Sequence, residues 1–309
     1  MILWILIFVV SLTALIISAN YFIKAAERMG VALGIPPFII GVTVLALGTS
    51  LPELITSIVS VLNDSSEIVV GNIVGSNISN ICLILGLMGV VSGSLTTTFD
   101  PMKVDLPLMI GATFFLGLAI MDKHFAGYEI GIALLGIGLY LFYFIQSDHG
   151  GVDEEQEKQK MRWLDPIILI ASMVGLYFSA DFNVESIIEI ATRLDIGKEI
   201  IALSAVALGT SLPELIVSIV ALRKSQADMA IGNIIGSNIF NIFAVMGIPA
   251  LFGKLVIPDS ILSFGFPLLV AVSLLCFFIF QNKNINRWTG GILLLFYFFF
   301  FGQLISAAL

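Results

Sequence analysis

The chain alternates between long apolar runs and short polar connections, a pattern typical of a protein that crosses a membrane many times. Of its 309 residues, 58% are hydrophobic and 12% are charged, and the charges separate uncharged runs that are too long for a soluble core. Gly, Pro and Ser within the runs favour helices, since a membrane barrel shows alternating segments of about ten residues. The runs predict ten spanning helices, at about 2–23, 38–62, 67–91, 105–121, 127–145, 164–182, 199–222, 229–252, 260–281 and 288–308.

Two sequence motifs occur twice at the same spacing, which indicates an internal repeat. The residues AlaLeuGlyThrSerLeuProGluLeuIle occupy 46–55 and again 207–216, an offset of 161. GlyAsnIleValGlySerAsnIle at 71–78 returns as GlyAsnIleIleGlySerAsnIle at 232–239. Since five helices are an odd number, the second copy must enter the membrane from the opposite side. The sequence therefore predicts an all-α membrane protein of ten transmembrane helices as two inverted five-helix repeats, 1–146 and 164–309, joined by a hydrophilic linker, 147–163.

A polar stripe follows the predicted second helix. On a helical wheel with about 100° per residue, Thr49, Glu53, Thr56 and Ser60 fall within about 60° of one another. Polar side chains collected on one face are expected to turn away from lipid. This face of the second helix is therefore predicted to line a polar site.

The third helix carries a second oxygen-rich face. Asn72, Ser76 and Asn80 follow one another at i, i+4 and i+8, which places them on one side of a helix. The fourth and fifth predicted helices are expected to contain no buried charge and to serve as scaffold. Cys82 and Cys276 stand alone in different helices, so we expect them to be packing residues.

The distribution of basic residues predicts the orientation of the chain. When the loops are assigned to alternate sides, ten of the fourteen Lys and Arg fall on one side. The side richer in Lys and Arg is normally cytoplasmic, which places the linker in the cytoplasm and both termini outside. The net charge is −8, and five of the 22 acidic residues lie in the stretch 148–157. No basic patch large enough for nucleic acid is present.

Each copy of the first motif places a glutamate, Glu53 or Glu214, directly after a proline within an apolar run. An ionisable side chain at membrane depth is costly and is usually functional. Pro52 and Pro213 also withhold an amide donor from the carbonyl one turn earlier. Inversion of the repeats should bring the two glutamates together near the bilayer midplane. Because oxygen ligands suit Ca²⁺ and Na⁺, and both His residues lie in predicted loops, the sequence predicts a hard-cation site and disfavours zinc or copper.

The paired motifs GlyThrSerLeuProGlu and GlyAsnIle(Val/Ile)GlySerAsnIle resemble those of the cation/Ca²⁺ antiporter superfamily, on its sodium/calcium exchanger branch. The likeness extends over both repeats and essentially the whole chain. It implies ten helices in inverted repeats and an antiport in which Na⁺ enters and Ca²⁺ leaves through one alternately accessible site. Beyond these two ions and the lipid bilayer, we expect no cofactor and no protein partner.

The resemblance also implies a set of cation ligands, by position within the motifs. Glu53 and Glu214 are implied as shared ligands of Ca²⁺ and Na⁺. Main-chain oxygens of Thr49 and Thr210 are implied as further Ca²⁺ ligands. The implied Na⁺ ligands are Ser50, Ser76, Ser211, Ser237 and the carbonyls of Ala46 and Ala207.

Asn80 and Asn241 complete the implied centre. Some members of the family carry Asp at one of these two positions, and the potassium-dependent exchangers look acidic in this region. Two Asn residues therefore argue against K⁺ cotransport and hold the site at two carboxylates. The first and sixth helices, rich in small residues, are the candidates for the element that moves during transport.

Three other functions stay open at this point. A proton/Ca²⁺ exchanger would share the fold and use the same glutamates as proton carriers. A passive cation channel could be lined by the same acids. An intramembrane enzyme is disfavoured, because the sequence contains no HExxH motif and no evident pair of nucleophile and base. The expected location is the cell membrane of a prokaryote.

Overall fold

The computed structural model describes residues 2–125, 127–146, 161–193, 211–281 and 284–308, which are almost entirely helical. A small antiparallel sheet pairs β1, Ser94–Thr96, with β2, Asn284–Asn286. The helices in chain order are α1 Ile2–Ala32, α2 Pro37–Leu62, α3 Glu67–Ser92, α4 Asp105–Ile120, α5 Tyr128–Gln146, α6 Asp165–Arg193, α7 Leu212–Arg223, α8 Ala227–Leu251, α9 Ile261–Phe280 and α10 Arg287–Ala308.

The described helices follow the predicted apolar runs closely. Seven of them, α1, α2, α3, α6, α8, α9 and α10, are long and apolar enough to cross a membrane, and α4 and α5 are shorter apolar helices. Both α1 and α6 continue past their predicted ends into polar sequence, to Ala32 and Arg193. The first part of the predicted seventh helix and most of the linker lie outside the described residues. The helical character is confirmed, whereas ten crossings and inversion stay predictions.

The turns that follow α2 and α7 are alike in structure, and equivalent residues in them are separated by the same 161 positions as the repeated motifs. Asp64 and Ser225, which are 161 residues apart, both adopt a positive φ, 56° and 61°. In each turn the following amide donates to the carbonyl five residues earlier, at 2.9 Å. These hydrogen bonds satisfy carbonyls that the helix end leaves without a partner. Two turns of different sequence therefore share a positive φ at the same position and the same closing hydrogen bond.

The residue two positions before the motif proline has the same backbone angles in both copies. In α2, a π-helical turn at Gly41–Leu45 is followed by a break at Ser50, with φ −88° and ψ 3°. Ser211, directly before α7, has φ −87° and ψ 3°. The equivalent prolines, Pro52 and Pro213, fit the first turn of the helix that follows, where a missing N–H costs nothing.

The helices α3 and α8 carry matching irregularities. Each contains a π-helical segment, Asn80–Leu85 in α3 and Asn241–Val245 in α8. Wide turns of this kind occur frequently at functional sites. Each segment begins at one of the two asparagines implied as part of the cation centre.

Glycines let α2 and α8 pack backbone to backbone. A Cβ added at Gly41 would lie 2.3 Å from the carbonyl oxygen of Met229, and one added at Gly232 would lie 2.4 Å from that of Phe38. No side chain fits between the helices at these distances. The two helices come from different halves of the chain, so this contact joins the halves at the centre of the fold.

The expectation that α4 and α5 contain no buried charge is wrong. Asp105, the first residue of α4, is 1% exposed. Its Oδ1 accepts a hydrogen bond of 3.4 Å from the hydroxyl of Tyr140, on α5. Glu129, in the first turn of α5, is also buried. Both acids lie at helix ends that neighbouring segments cover, which an apolar run in sequence does not reveal.

Candidate cation site

Glu53 and Glu214 lie in the first turn of the helical segments that begin at Leu51 and Leu212. Both are 1% exposed. The hydroxyl of Ser50, three residues before Glu53, contacts the carboxylate of Glu214, which places the two acids in one buried cluster. The positive end of each helix dipole partly offsets the cost of a carboxylate there. The structure thus brings together two acids from opposite halves of the chain.

Hydrogen bonds between the halves hold this pair. The hydroxyl of Ser50 donates to Oε1 of Glu214 at 3.1 Å. The hydroxyl of Thr49 lies 3.2 Å from Oδ1 of Asn233, on α8. Each of these contacts joins the break in α2 to an element of the second half, so the break itself is part of the site.

Seven buried oxygens of the predicted site have no hydrogen-bond partner in the described part of the chain. They are Oε1 and Oε2 of Glu53, Oε2 of Glu214, Oδ1 of Asn80 and Asn241, and the hydroxyls of Ser211 and Ser237. Leaving a buried acceptor without a donor costs about 1–3 kcal/mol, and more for a charged group. Ca²⁺ takes about six to eight oxygen ligands. The donor set therefore fits a hard cation.

The charge of the site points in the same direction. Among the described residues, no ion pair includes Glu53 or Glu214. A carboxylate removed from water without a counter-charge costs several kcal/mol. A pair with a formal charge of −2 can be balanced by one divalent or two monovalent cations.

A second layer of the site lies where α3 crosses α8. The amide nitrogen of Asn80 donates to Oδ1 of Asn238 at 3.2 Å, and that of Asn241 donates to Oδ1 of Asn77 at 3.1 Å. Asn77 and Asn238 are not among the ligands that the motifs imply, although each lies three residues before an implied ligand. The pairing between halves was not visible in the sequence.

The polar stripe predicted on α2 is partly wrong. Thr56 is exposed, whereas Ser57 is fully buried and accepts a hydrogen bond of 3.4 Å from the amide of Asn72. At about 100° per residue, Ser57 lies about 40° from Glu53 and Thr56 about 60° away on the other side. The second half of the chain has the equivalent contact, in which the amide of Asn233 donates to the hydroxyl of Ser218 at 3.1 Å.

The remaining implied ligands differ in how free their oxygens are. Ser76 is buried and donates to Oδ1 of Asn72 at 3.5 Å. The carbonyl of Ala46 already accepts from the amide of Ser50 at 3.0 Å and faces the hydroxyl of Thr49 at 3.4 Å. The last two implied ligands, Thr210 and Ala207, lie outside the described residues.

Known proteins resemble this chain along nearly its full length. The sequence profile of the family described as sodium/calcium exchanger protein matches residues 3–147 and 164–305. The sodium/calcium exchanger MaX1 of Methanosarcina acetivorans is 32% identical over 334 aligned positions, which cover 94% of this chain and 95% of that protein. The inner membrane protein YrbG of Escherichia coli is 35% identical over 260 positions, covering 79% and 78%.

Solved structures agree with these sequence relatives. The sodium-calcium exchanger NCX_Mj, soaked with zero Na⁺ and Ca²⁺, has a TM-score of 0.83 and 30% identity, covering 98% of this chain and 99% of that chain. A second structure of that exchanger, soaked with Na⁺ and Sr²⁺, gives the same TM-score at 29% identity. The similarity is to exchangers, which are transporters and not enzymes, and it agrees with a multi-pass membrane protein. The chain belongs to the sodium/calcium exchanger family.

Proposed function

We propose that this protein is a secondary active antiporter that exchanges Na⁺ for Ca²⁺ at one site. A single observation carries the proposal: Glu53 and Glu214 are both buried in a cluster that Ser50 links to Glu214, and three of their four oxygens lack a partner among the described residues. Oxygen ligands and a formal charge of −2 suit Ca²⁺ or two Na⁺. The names of its relatives, MaX1 and NCX_Mj, support the choice of these two ions.

The proposed architecture is ten transmembrane helices in two inverted repeats, 1–146 and 164–309, with 147–163 as the linker. The matching turns at Asp64 and Ser225 and the matching backbone angles of Ser50 and Ser211 support a structural repeat. The excess of Lys and Arg on one side supports a cytoplasmic linker with both termini outside. Inversion would place the two glutamates near the middle of the bilayer.

Exchange rather than leakage follows from charge. An empty pair of ionised carboxylates is too costly to enclose in low dielectric, so the protein changes its accessible side only when the pair is loaded. Ca²⁺ on one side and Na⁺ on the other then take turns at Glu53 and Glu214. Because the empty protein cannot change its accessible side, the movement of Ca²⁺ is coupled to the movement of Na⁺ in the opposite direction.

The element proposed to move is the helix pair α1 and α6. These helices pack along each other through small residues: a Cβ added at Gly175 would lie 2.6 Å from the hydroxyl of Ser18. Close packing of this kind would hold α1 and α6 together as one body, which would then slide along the core of α2, α3, α7 and α8. Alternating access at a fixed site requires such a displacement.

Two other functions would use the same residues. A proton/Ca²⁺ exchanger would carry protons on the glutamates, and a channel would pass Ca²⁺ without any counter-ion. The motif favours Na⁺, because related proton exchangers usually show GlyAsn in place of the residues before Glu53. The cell membrane of a prokaryote is the proposed location, with no cofactor and no protein partner.

Transport into liposomes tests the proposal. The purified protein is reconstituted with Na⁺ inside, and ⁴⁵Ca²⁺ uptake is followed at fixed pH with and without an outward Na⁺ gradient. We expect uptake that depends on internal Na⁺ and is lost in Glu53→Gln and in Glu214→Gln. Uptake that follows only a pH gradient would favour the proton exchanger, and uptake without any counter-ion would favour the channel. Full transport by both variants would rule out the site.

A further inference from the structure

Two buried asparagines outside the implied ligand set contact the two asparagines within it. Asn77 and Asn238, on α3 and α8, are 0% and 1% exposed. Oδ1 of Asn238 accepts from the amide nitrogen of Asn80, and Oδ1 of Asn77 accepts from that of Asn241. In both ligands the nitrogen is therefore engaged, while the oxygen is buried without a partner among the described residues.

The hydrogen bonds of Asn77 fix which end of each amide faces the site. An asparagine side chain has a donor end and an acceptor end of similar shape, so its partners decide its orientation. The nitrogen of Asn77 donates to the main-chain carbonyl of Asn238 at 3.2 Å. A carbonyl never donates, so Asn77 must present its oxygen to Asn241. Asn241 must then present its nitrogen to Asn77 and its oxygen away from it.

The hydrogen bonds of Asn238 orient Asn80 in a similar way, but they end on a weaker acceptor. Asn238 accepts from Asn80 and directs its own nitrogen at the thioether sulfur of Met109, at 3.7 Å. A thioether accepts weakly and does not donate. Asn80, like Asn241, therefore directs its nitrogen at the neighbouring asparagine and its oxygen away from it. The hydrogen bond that fixes this orientation, from Asn238 to Met109, is the weaker of the two. The two halves of the site are unequal in this respect.

We propose that Asn77 and Asn238 are positioning residues that aim the oxygens, not the NH₂ groups, of Asn80 and Asn241 at the transported cation. A flipped ligand amide would replace an oxygen by two N–H donors and would repel the cation. The inference rests on the proposed function, because it requires Asn80 and Asn241 to face the ion. It assigns to two residues outside the ligand set a control over affinity.

Equilibrium Ca²⁺ binding by the purified protein tests this role. Asn77→Leu removes the partner that orients Asn241, whereas Asn77→Gln keeps an oxygen that can accept from Asn241 and an amide nitrogen that can donate to the main-chain carbonyl of Asn238. We expect Asn77→Leu to raise the Kd for Ca²⁺ at least about tenfold, as is common for residues behind metal ligands, and Asn77→Gln to recover part of the affinity. The same comparison at Asn238, Leu against Gln, tests the hydrogen bonds that orient Asn80 if Asn77→Leu does not fold.

A matched control separates orientation from general loss of a buried amide. Asn183 is also buried and joins two helices, with its nitrogen 3.1 Å from the hydroxyl of Ser11, away from the site. Asn183→Leu should leave the Kd for Ca²⁺ unchanged. Equal affinity of Asn77→Leu and the wild type, or equal loss in Asn77→Leu and Asn77→Gln, would overturn the positioning role. Loss of binding in Glu53→Gln shows separately whether the proposed site itself holds.

Discussion

The guanidinium of Arg28, near the end of α1, contacts the carboxylate of Asp165, the first residue of α6, with Nη2 2.6 Å and Nε 2.9 Å from Oδ1. The other oxygen of Asp165 accepts from the main-chain amide of Arg162 at 2.9 Å. The Asp165 side chain is fully covered. This ion pair ties together one end of the two helices that are proposed to move as a unit.

Removing the charge of Asp165 should destabilise the protein. Hydrogen bonds to a charged group contribute about 1.5–3 kcal/mol each, so we expect Asp165→Asn to lower the melting temperature by roughly 3–10 °C. Thermal unfolding of the detergent-solubilised protein measures this change. The control is Lys123→Ala, which breaks an exposed ion pair of 2.5 Å with Asp259 and should have almost no effect. Equal losses in the two variants would contradict the prediction.

A different contact joins α1 to the turn between α7 and α8. The side-chain amide of Gln226 donates to Oε1 of Glu27 at 2.6 Å. If α1 and α6 slide along the core, this contact must break in each cycle. A reversible thiol crosslinker between Glu27→Cys and Gln226→Cys should therefore lower Na⁺-dependent ⁴⁵Ca²⁺ uptake at least about tenfold, with recovery after reduction.

The control for the crosslink is a pair within the moving unit. Arg28→Cys and Asp165→Cys, joined by the same reagent, should retain most of the uptake, because α1 and α6 keep their relative positions. The two native cysteines, Cys82 and Cys276, are buried and should react slowly. Equal inhibition by both crosslinks would exclude movement of α1 and α6 as one body.

The contact between α2 and α8 should not tolerate even one methyl group. In Gly232→Ala the new Cβ would meet the carbonyl of Phe38 at 2.4 Å, and two backbones must separate to make room. Overpacking of this kind costs typically about 1–3 kcal/mol, so both the melting temperature and the Ca²⁺ affinity should fall. Gly138→Ala on α5 has nothing within 4 Å and should be neutral or slightly stabilising. A stable Gly232→Ala protein with full Ca²⁺ affinity would show that the close approach is not needed.

Asp105 offers a test of buried polarity outside the site. Its only hydrogen bond from a side chain in the described residues is the one from Tyr140, and its Oδ2 has no partner there. Tyr140→Phe should lower the stability by about 1–3 kcal/mol, because it leaves a second buried oxygen without a donor. Asp105→Asn removes the acid with little change in shape and should be neutral or stabilising. Both effects are measured by thermal unfolding, and a strong loss in Asp105→Asn would show that the acid itself stabilises the fold.

Several features of the site could be predicted from the sequence. The repeated motif identified Glu53 and Glu214, and both are buried in the first turn of a helical segment, directly after its proline. The choice between Thr56 and Ser57 failed, because the two lie at similar angles from Glu53 and only the neighbouring helix decides which one is covered. The burial of Asp105 was missed for the same reason, since residues distant in the sequence cover it.

The sequence by itself determined the helical runs and the residue types at the centre. This is so because a chain of apolar segments without water must satisfy its own backbone hydrogen bonds as helices, and a repeated acid within such a segment stands out. Only the tertiary structure decided which oxygens face inward and lack a partner. That depends on the orientation of amides such as Asn80 and Asn238, which lie 158 residues apart and meet only where α3 and α8 pack together.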